Sequence, residues 1–432
     1  MLHECKKICN FADSNKKIKQ NIPTMIKILH TSDWHIGQVF YGEDRIAEQQ
    51  HMLAQITDCV TAEKPDIMLL AGDIFDVAMP NSKAQKLLTD ALMAMHAAHP
   101  QMAIITISGN HDSATRHEIH QAVWESVNVH MIGNIHNSEV NQHLLPIYDA
   151  NGQVCAYVAA VPYAAQRMIT NDFYTRLSEH AARLGEEHQV PVIFVGHLAA
   201  SNCESTGHAV DNYGKDTIYI GNIETVDVAE LGSAYDYVAL GHIHKAQNLG
   251  NRARYSGSPI AMSFDEVASD YRHSISIVEI ASRGALPVIR EVEIDNALPL
   301  VNIPAVAAAE WDKVLAELTD FPCDIPARIR LNVLLDADES LPYNHEWQVK
   351  EALVGKCAHH CETNVQRAQQ LATNMPKSQE VVRMELAELL HMQPIDVARK
   401  WMGRIGEEMT DEMEQLFNHA ISQAIETERH ED

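Results

Sequence analysis

The sequence predicts an α/β fold, and three observations predict it. Short β-branched and apolar runs alternate with helical patterns from Ile26 to about residue 283. Each run ends in a turn containing Gly or Asp. The chain has 432 residues, 46% of them apolar, enough for two to four domains with full cores.

Residues 1–24 are polar, carry Lys6, Lys7, Lys16, Lys17 and Lys19, and contain no apolar stretch of the kind a secretory leader needs. They read as a disordered extension or as sequence ahead of a start at Met25; the second reading is preferred, and no function is expected of them. The strand-like runs that follow are Ile26–Leu29, Ile67–Leu70, Ala103–Ile107, Val192–Val195 and Val238–Leu240. Between the first two, residues 43–61 show helical periodicity, with Ile46, Leu53, Ile56 and Val60 on one face. These elements make residues 25–283 the expected core.

Residues 284–368 have a rhythm of their own: strand Val288–Val292, helix Ala305–Leu318, strand Ala327–Leu334, helix Glu346–Val354. Pro304 lies just ahead of the first helix, where a missing N–H costs least. A small α+β domain is expected. Residues 369–432 are expected to be helical, with Met409, Met413, Leu416, Phe417, Ala420, Ile421, Ala424 and Ile425 forming an i, i+3, i+4 stripe.

Composition excludes several classes. No stretch approaches the roughly 18 consecutive apolar residues of a membrane helix. Eight cysteines are too sparse for a disulfide scaffold and suit a reducing, cytoplasmic compartment. With 33 Lys+Arg against 59 Asp+Glu, the net charge of −26 disfavours binding a polyanion through bulk charge. A nucleic-acid partner would have to be attracted locally, by bound cations, a basic strip or another subunit.

Five motifs occur in order, each at the end of a strand-like run: Asp33-Trp34-His35, Gly72-Asp73-Ile74-Phe75-Asp76, Gly109-Asn110-His111-Asp112, Gly196-His197 and Gly241-His242-Ile243-His244. Ligands of open α/β sheets collect at such strand ends. If these segments are extended, residues i and i+2 point the same way, so Asp33 converges with His35 and His242 with His244. Any one motif is weak, because 25 histidines make chance pairs common, and Gly72-Asp73 alone could be a helix cap. The ordered set of five is what carries weight.

Oxygen and nitrogen donors without thiolate suit Mn²⁺, Fe²⁺ or Zn²⁺. Asp33, His35, Asp73, Asn110, His197, His242 and His244 are too many donors for one open site. They fit two cations about 3.5–4 Å apart sharing a carboxylate, the arrangement that clamps both oxygens of an in-line phosphoryl displacement and activates water near neutral pH. Asp73 is the expected bridge. His111, beside Asn110, is the expected catalytic acid at the leaving oxygen, with the Asp76 carboxylate orienting its ring.

This ordered set resembles the signature of the calcineurin-like metallophosphoesterases over Ile26 to about residue 283. Two further stretches, His30-Thr31-Ser32-Asp33-Trp34-His35-Ile36-Gly37 and Tyr255-Ser256-Gly257-Ser258-Pro259 followed by Ser263-Phe264-Asp265-Glu266, look like the SbcD-type subunits of bacterial SbcC–SbcD nucleases. The resemblance implies a four-layer sandwich, with residues 284–368 as a capping domain and residues 369–432 as a tail that docks on the SbcC-type coiled-coil ATPase. It implies one cation held by Asp33, His35, Asp73 and His244, and another by Asp73, Asn110, His197 and His242. His111 would be catalytic without being a ligand. The cations would be Mn²⁺, with Mg²⁺ the poorer alternative, and this chain would hold no ATP site. The substrate would be DNA, cut as an exonuclease on duplex ends and as an endonuclease on single strands and hairpins. Dimerisation within a heterotetramer and association with the nucleoid are likewise implied.

Two rival readings share the motifs: a phosphoesterase for nucleotides or cyclic nucleotides, and a non-catalytic scaffold. The motifs specify chemistry, not substrate, but a scaffold is expected to lose ligands and all are present. Lys245, Arg252 and Arg254 follow the last motif and are candidates to touch phosphate, although solvated surface charge is the blander expectation for each. Cys357-Ala358-His359-His360-Cys361 resembles half a zinc site without a second pair at suitable spacing. It is expected to lie in a helix and to bind nothing.

Overall fold

The structure is a computed structural model that describes residues 25–201, 203, 209–210, 216–217, 225–267, 271–337, 339–367, 410 and 413–414. The expectations for residues 1–24 and for the tail from residue 369 lie outside the described residues, apart from those three isolated positions.

Two six-stranded sheets form the core. The first runs Val288–Glu293, Ser274–Ile280, Ile26–Thr31, Ile67–Ala71, Ala103–Ile107, Val129–Ile132, and its last four strands are parallel. The second runs Gln247–Leu249, Ala253–Tyr255, Tyr237–Gly241, Val192–His197, Val154–Val161, Leu144–Tyr148, with its middle four parallel. Side chains alternate across each sheet. Ile28, Leu69, Ile105, Val158, Ile193 and Ala239 fill the space between the sheets. Leu29, Met68 and Ile104 point outward against helices Ile46–Glu63 and Ser82–Ala98, while Phe194 and Tyr157 meet helix Phe173–His188. The layers are therefore helix, sheet, sheet, helix. Strands covered on both faces read as unbroken apolar runs, which is why the five expected strands recur with small changes of boundary.

The second region begins later than expected. Strand Val288–Glu293 pairs antiparallel with Ser274–Ile280 at the edge of the first core sheet, so it does not belong to the small domain. What remains is a three-stranded parallel sheet, Leu300–Ile303, Ala327–Leu335 and Ala358–Arg367, with helices Trp311–Asp320 and His345–Ala352. Its core comprises Ile303, Trp311, Val314, Leu318, Ile329, Leu331, Val333 and Val349. The first helix starts at Trp311 and not at Ala305, because residues 304–307 bend and Ala309 bridges to Val333. Cys361 lies in a strand, which corrects the expected helix: Thr363 and Val365 favour extended backbone, and the strand pairs along the whole of Ala327–Leu335. Cys357 and Cys361 are free thiols. Among the described residues, no helix is long and apolar enough to cross a membrane.

Ile105, fully buried between the sheets, should cost about 2–5 kcal/mol of stability when changed to Ala. Val306, 95% exposed, should cost less than about 0.5 kcal/mol. Urea titration followed by circular dichroism checks both, and equal costs would contradict the layer assignment.

Candidate metal centre

All five motifs sit at carboxyl ends of parallel strands, three from the first sheet and two from the second. Asp33 and His35 follow Ile26–Thr31, Asp73 follows Ile67–Ala71, and Asn110 and His111 follow Ala103–Ile107. His197 ends Val192–His197, while His242 and His244 follow Tyr237–Gly241. Four of these residues have left-handed backbone: Asp33 (φ 54°), His35 (φ 43°), Asp73 (φ 47°) and His242 (φ 100°). Such conformations cost of order 1–3 kcal/mol each and persist where the surroundings impose them, typically at functional sites. They also correct the expected geometry. Asp33 and His35 converge because the chain bends, not because a strand pleats, and His242 and His244 turn to different donor sets.

Donor atoms of Asp33, His35 and His244 all lie within 4.8 Å of one another, as do those of Asp73, His197 and His242. Asp73 stands between the sets: its Oδ2 is 3.7 Å from His35 Nε2 and 3.4 Å from His197 Nε2. Asn110 Oδ1 lies 3.0 Å from both His197 Nε2 and His242 Nδ1, joining the second set. His35 Nε2 and His244 Nε2 are 3.3 Å apart. A third grouping, His35, Asp73 and His111, also comes within 4.8 Å.

Two rings have their outer nitrogens occupied in the way metal-ligating imidazoles require. His197 Nδ1 donates to Ala71 O at 2.8 Å, and His244 Nδ1 lies 2.8 Å from Glu266 Oε1. His35 Nδ1 is 3.4 Å from Asp76 Oδ1. His197 and His244 thereby present Nε2 inward, His35 Nε2 faces His244, and His242 turns Nδ1 towards Asn110. Donor type, number and orientation all fit divalent cations.

The electrostatics point the same way. Burial penalises the charged forms of Asp73 and His197, yet each stabilises the other: Asp73 is held well below the usual carboxylate range, and His197 is pushed up to about 9. His244 is likewise pulled down by burial and raised by the Glu266 carboxylate, to about 9. Burial and the positive charge of His197 lower His242 to about 3, leaving it neutral. Without cations, protons on histidine compensate the buried carboxylates; cations would displace them.

Two glycines make the approach feasible. A Cβ on Gly109 would lie 2.1 Å from Asp73 Oδ1, and one on Gly72 would lie 2.3 Å from His197 Nδ1. Asp112 then staples two ligand loops, accepting from the backbone N–H groups of Ile74, Phe75 and Gly109 at 3.0, 2.9 and 2.9 Å.

His111 is exposed, and its main-chain N–H donates to Asp73 Oδ1 at 2.8 Å. Its Nδ1 donates to the main-chain carbonyl of Asp76 at 2.9 Å, so the orienting hydrogen bond expected from the Asp76 carboxylate comes from the backbone instead. Beside the centre, a cleft of about 530 Å³ has Asn110, His197 and His242 on its wall, with Tyr163, Arg167 and Tyr174 among its other residues.

Sequence reasoning missed Asp112, Glu266 and the cleft residues Tyr163 and Arg167. Asp112 is visible as the last residue of Gly109-Asn110-His111-Asp112, but the motif gives it no role. Glu266 is visible at the end of Ser263-Phe264-Asp265-Glu266, but it lies 22 residues after His244 and nothing local links the two. Arg252 and Arg254 are corrections. Arg254 is buried against Ser276, Asn248 and Glu291, and Arg252 donates to the carbonyls of Asp236, Gly284 and Ala285. Both brace the fold and are not freely solvated.

At pH 7 the raised His197 and His244 carry protons that a cation must expel. Mn²⁺ affinity should therefore rise as pH rises from 7 towards 9, by up to about tenfold per unit for each proton displaced. Calorimetry in buffers of differing ionisation heat should register the release; affinity unchanged across that window would contradict the assignment. Gly109→Ala should abolish cation uptake through its clash with Asp73, read by the same titration.

Residues 26–246 match the family model described as calcineurin-like phosphoesterase. The chain is 34% identical over 315 residues to the SbcD subunit of the nuclease SbcCD from Rhodobacter capsulatus, covering 68% of this chain and 75% of that one. It is 28% identical over 349 residues to the corresponding SbcCD nuclease subunit of Escherichia coli K12 (75% and 81% covered) and 29% identical over 291 residues to that of Bacillus subtilis (64% and 72%). With the strand-end motifs assembled in one centre, these matches establish that the chain belongs to the calcineurin-like phosphoesterases, in the branch formed by the SbcD subunits of SbcCD nucleases.

Proposed function

We propose that the chain is the nuclease subunit of an SbcC–SbcD-type complex and hydrolyses DNA phosphodiesters at a centre of two divalent cations. The observation that carries this reading is the meeting of seven donors from five strand ends in two sets that share Asp73. Asp33, His35, Asp73 and His244 would hold one cation, and Asp73, Asn110, His197 and His242 the other. Mn²⁺ suits this mixed oxygen and nitrogen set, with Mg²⁺ second because it prefers oxygen. When bound, such cations polarise the phosphate and make water nucleophilic near neutral pH.

The protein's own residues do the rest. Asp73 keeps the two sets in register through its shared Oδ2. His111, anchored through Nδ1 to the Asp76 carbonyl, keeps Nε2 available to pass a proton to the leaving oxygen. The exposure of its ring favours this role over ligation. The cleft at Asn110, His197 and His242 is the natural place for DNA beside the scissile phosphate. Acting on duplex ends and on hairpins, the protein would work with the nucleoid. We place the SbcC-type ATPase on residues 369–432, whose apolar stripe suits a partner's groove, and expect a homodimer within the assembled complex. A small-molecule phosphoesterase finds no support among relatives described as nucleases.

His111→Ala should keep both cations and lose cleavage by about 10²–10⁴-fold. The assay is Mn²⁺-dependent cutting of a labelled hairpin duplex beside bis-p-nitrophenyl phosphate, with bound metal measured in the same sample; loss of metal would make His111 a ligand. DNA left intact even with SbcC and ATP would overturn the nuclease reading. Deleting the residues after 380 should spare Mn²⁺-dependent cutting of short DNA while abolishing SbcC capture.

A further inference from the structure

The two donor sets are not supported alike. His244 depends on Glu266, which is 6% exposed and uses both carboxylate oxygens: Oε1 lies 2.8 Å from His244 Nδ1, and Oε2 accepts from the Met262 N–H at 2.8 Å. Glu266 closes the single turn Phe264–Glu266. The rest of that turn is held by the second region. Asn302 Nδ2 donates to Phe264 O at 3.1 Å, and Arg330 pairs with Asp265 at 2.8 Å. The Arg330 guanidinium lies 5.2 Å from the Phe264 ring centroid, and Arg330 Nε donates to Asn302 Oδ1 at 2.8 Å. Phe264 itself is buried with Phe40, Ala261 and Leu300.

His35 leans on the same region. Gln49 Nε2 donates to His35 O at 2.7 Å, from a helix whose first turn carries buried Glu48. Glu48 is shared between Arg45 at 2.7 Å and Arg328 at 3.0 Å. Arg45 also donates to Ala261 O at 2.7 Å, linking this helix start to the loop that leads to Glu266. By contrast, among the described residues the hydrogen bonds of Asn110, His197 and His242 run to one another, to core residue Ala71 and, through the His242 main-chain N–H, to Asp33 of the other set, and none runs to the second region.

We propose that Glu266 is a positioning residue for His244, and that Asn302 and Arg330 hold Glu266 in place, so that the cation position of Asp33, His35 and His244 answers to the second region while that of Asn110, His197 and His242 does not. The inference rests on the two-cation reading above. Its physical basis is that a buried carboxylate with both oxygens engaged transmits a shift of its turn directly to the imidazole it orients.

The test uses the full chain and Mn²⁺ alone, with no substrate. Calorimetric titration and metal analysis should give two ions for the unsubstituted protein. Glu266→Ala should weaken one ion by roughly 10–100-fold and leave the other unchanged. Adding His197→Ala should then remove the ion that Glu266→Ala spared. Asn302→Ala with Arg330→Ala, remote from every donor, should weaken that first ion by roughly fivefold or more and spare the second. Should Glu266→Ala fail to fold, Glu266→Gln keeps the volume, places an amide on one of the two donors, and should weaken the same single ion. Both ions weakening in parallel, or neither, would overturn the proposal. An unsubstituted protein that takes up one ion would overturn the two-cation reading itself, and the proposal with it; uncut DNA beside two bound ions would count against the nuclease reading alone.

Discussion

A carboxylate buried to 2% exposure at the meeting point of two sheets, Asp73, is the constraint on which the rest of this structure depends. A charge removed from water must be compensated or it is neutralised. Here compensation comes from rings on both sides, His35 and His197, contributed by different sheets. Bringing them within reach of one oxygen needs strand ends that bend into left-handed backbone and glycines that let one loop lie against another. The same constraint makes the centre a cation trap: whatever neutralises Asp73 must be small, positive and tolerant of nitrogen donors.

The layered core provides the rigidity this requires. Parallel strands with both faces covered hold their carboxyl ends in fixed register, so the donors meet at one place. The second region adds an asymmetric brace. Arg328 and Arg330, neighbours along one strand, reach the start of helix Ile46–Glu63 and the turn that carries Glu266. A force on that strand would reach His35 and His244 before it reached the other donors. For a subunit that works within a larger complex, this is a physically sensible place to receive a conformational signal.

The net charge of −26 and a DNA substrate are reconciled by range. Exposed charges are screened over ~8 Å at physiological ionic strength, whereas two divalent cations would place about +4 where the phosphate must sit. Two of the basic residues that follow the last ligands in sequence are engaged elsewhere. Arg252 and Arg254 are committed to carbonyls and carboxylates of the core. Bound cations would supply the attraction at the centre, and Arg167 adds a positive charge in the adjoining cleft.

The sequence by itself determined the α/β class and the five strands whose ends carry the motifs, and it named the seven candidate donors and His111 that the structure brings close together. Apolar runs bounded by Gly-Asp, Gly-Asn and Gly-His turns are local signals, because burial on both faces and tight turns each leave a mark within a few residues. Only the tertiary structure decided the partnering. Val288–Glu293 joins the core because an edge strand is defined by its neighbour, and Cys361 lies in a strand because Ala327–Leu335 offers a ladder along its whole length. Glu266 serves His244, and the Asp76 carbonyl holds His111, through contacts set by how separate loops pack. Arginines that look free in sequence are buried by distant segments. A sequence displays residue type and periodicity; which groups face one another depends on the packing of elements far apart in the chain, and that is where the orientation of every ring in this centre was settled.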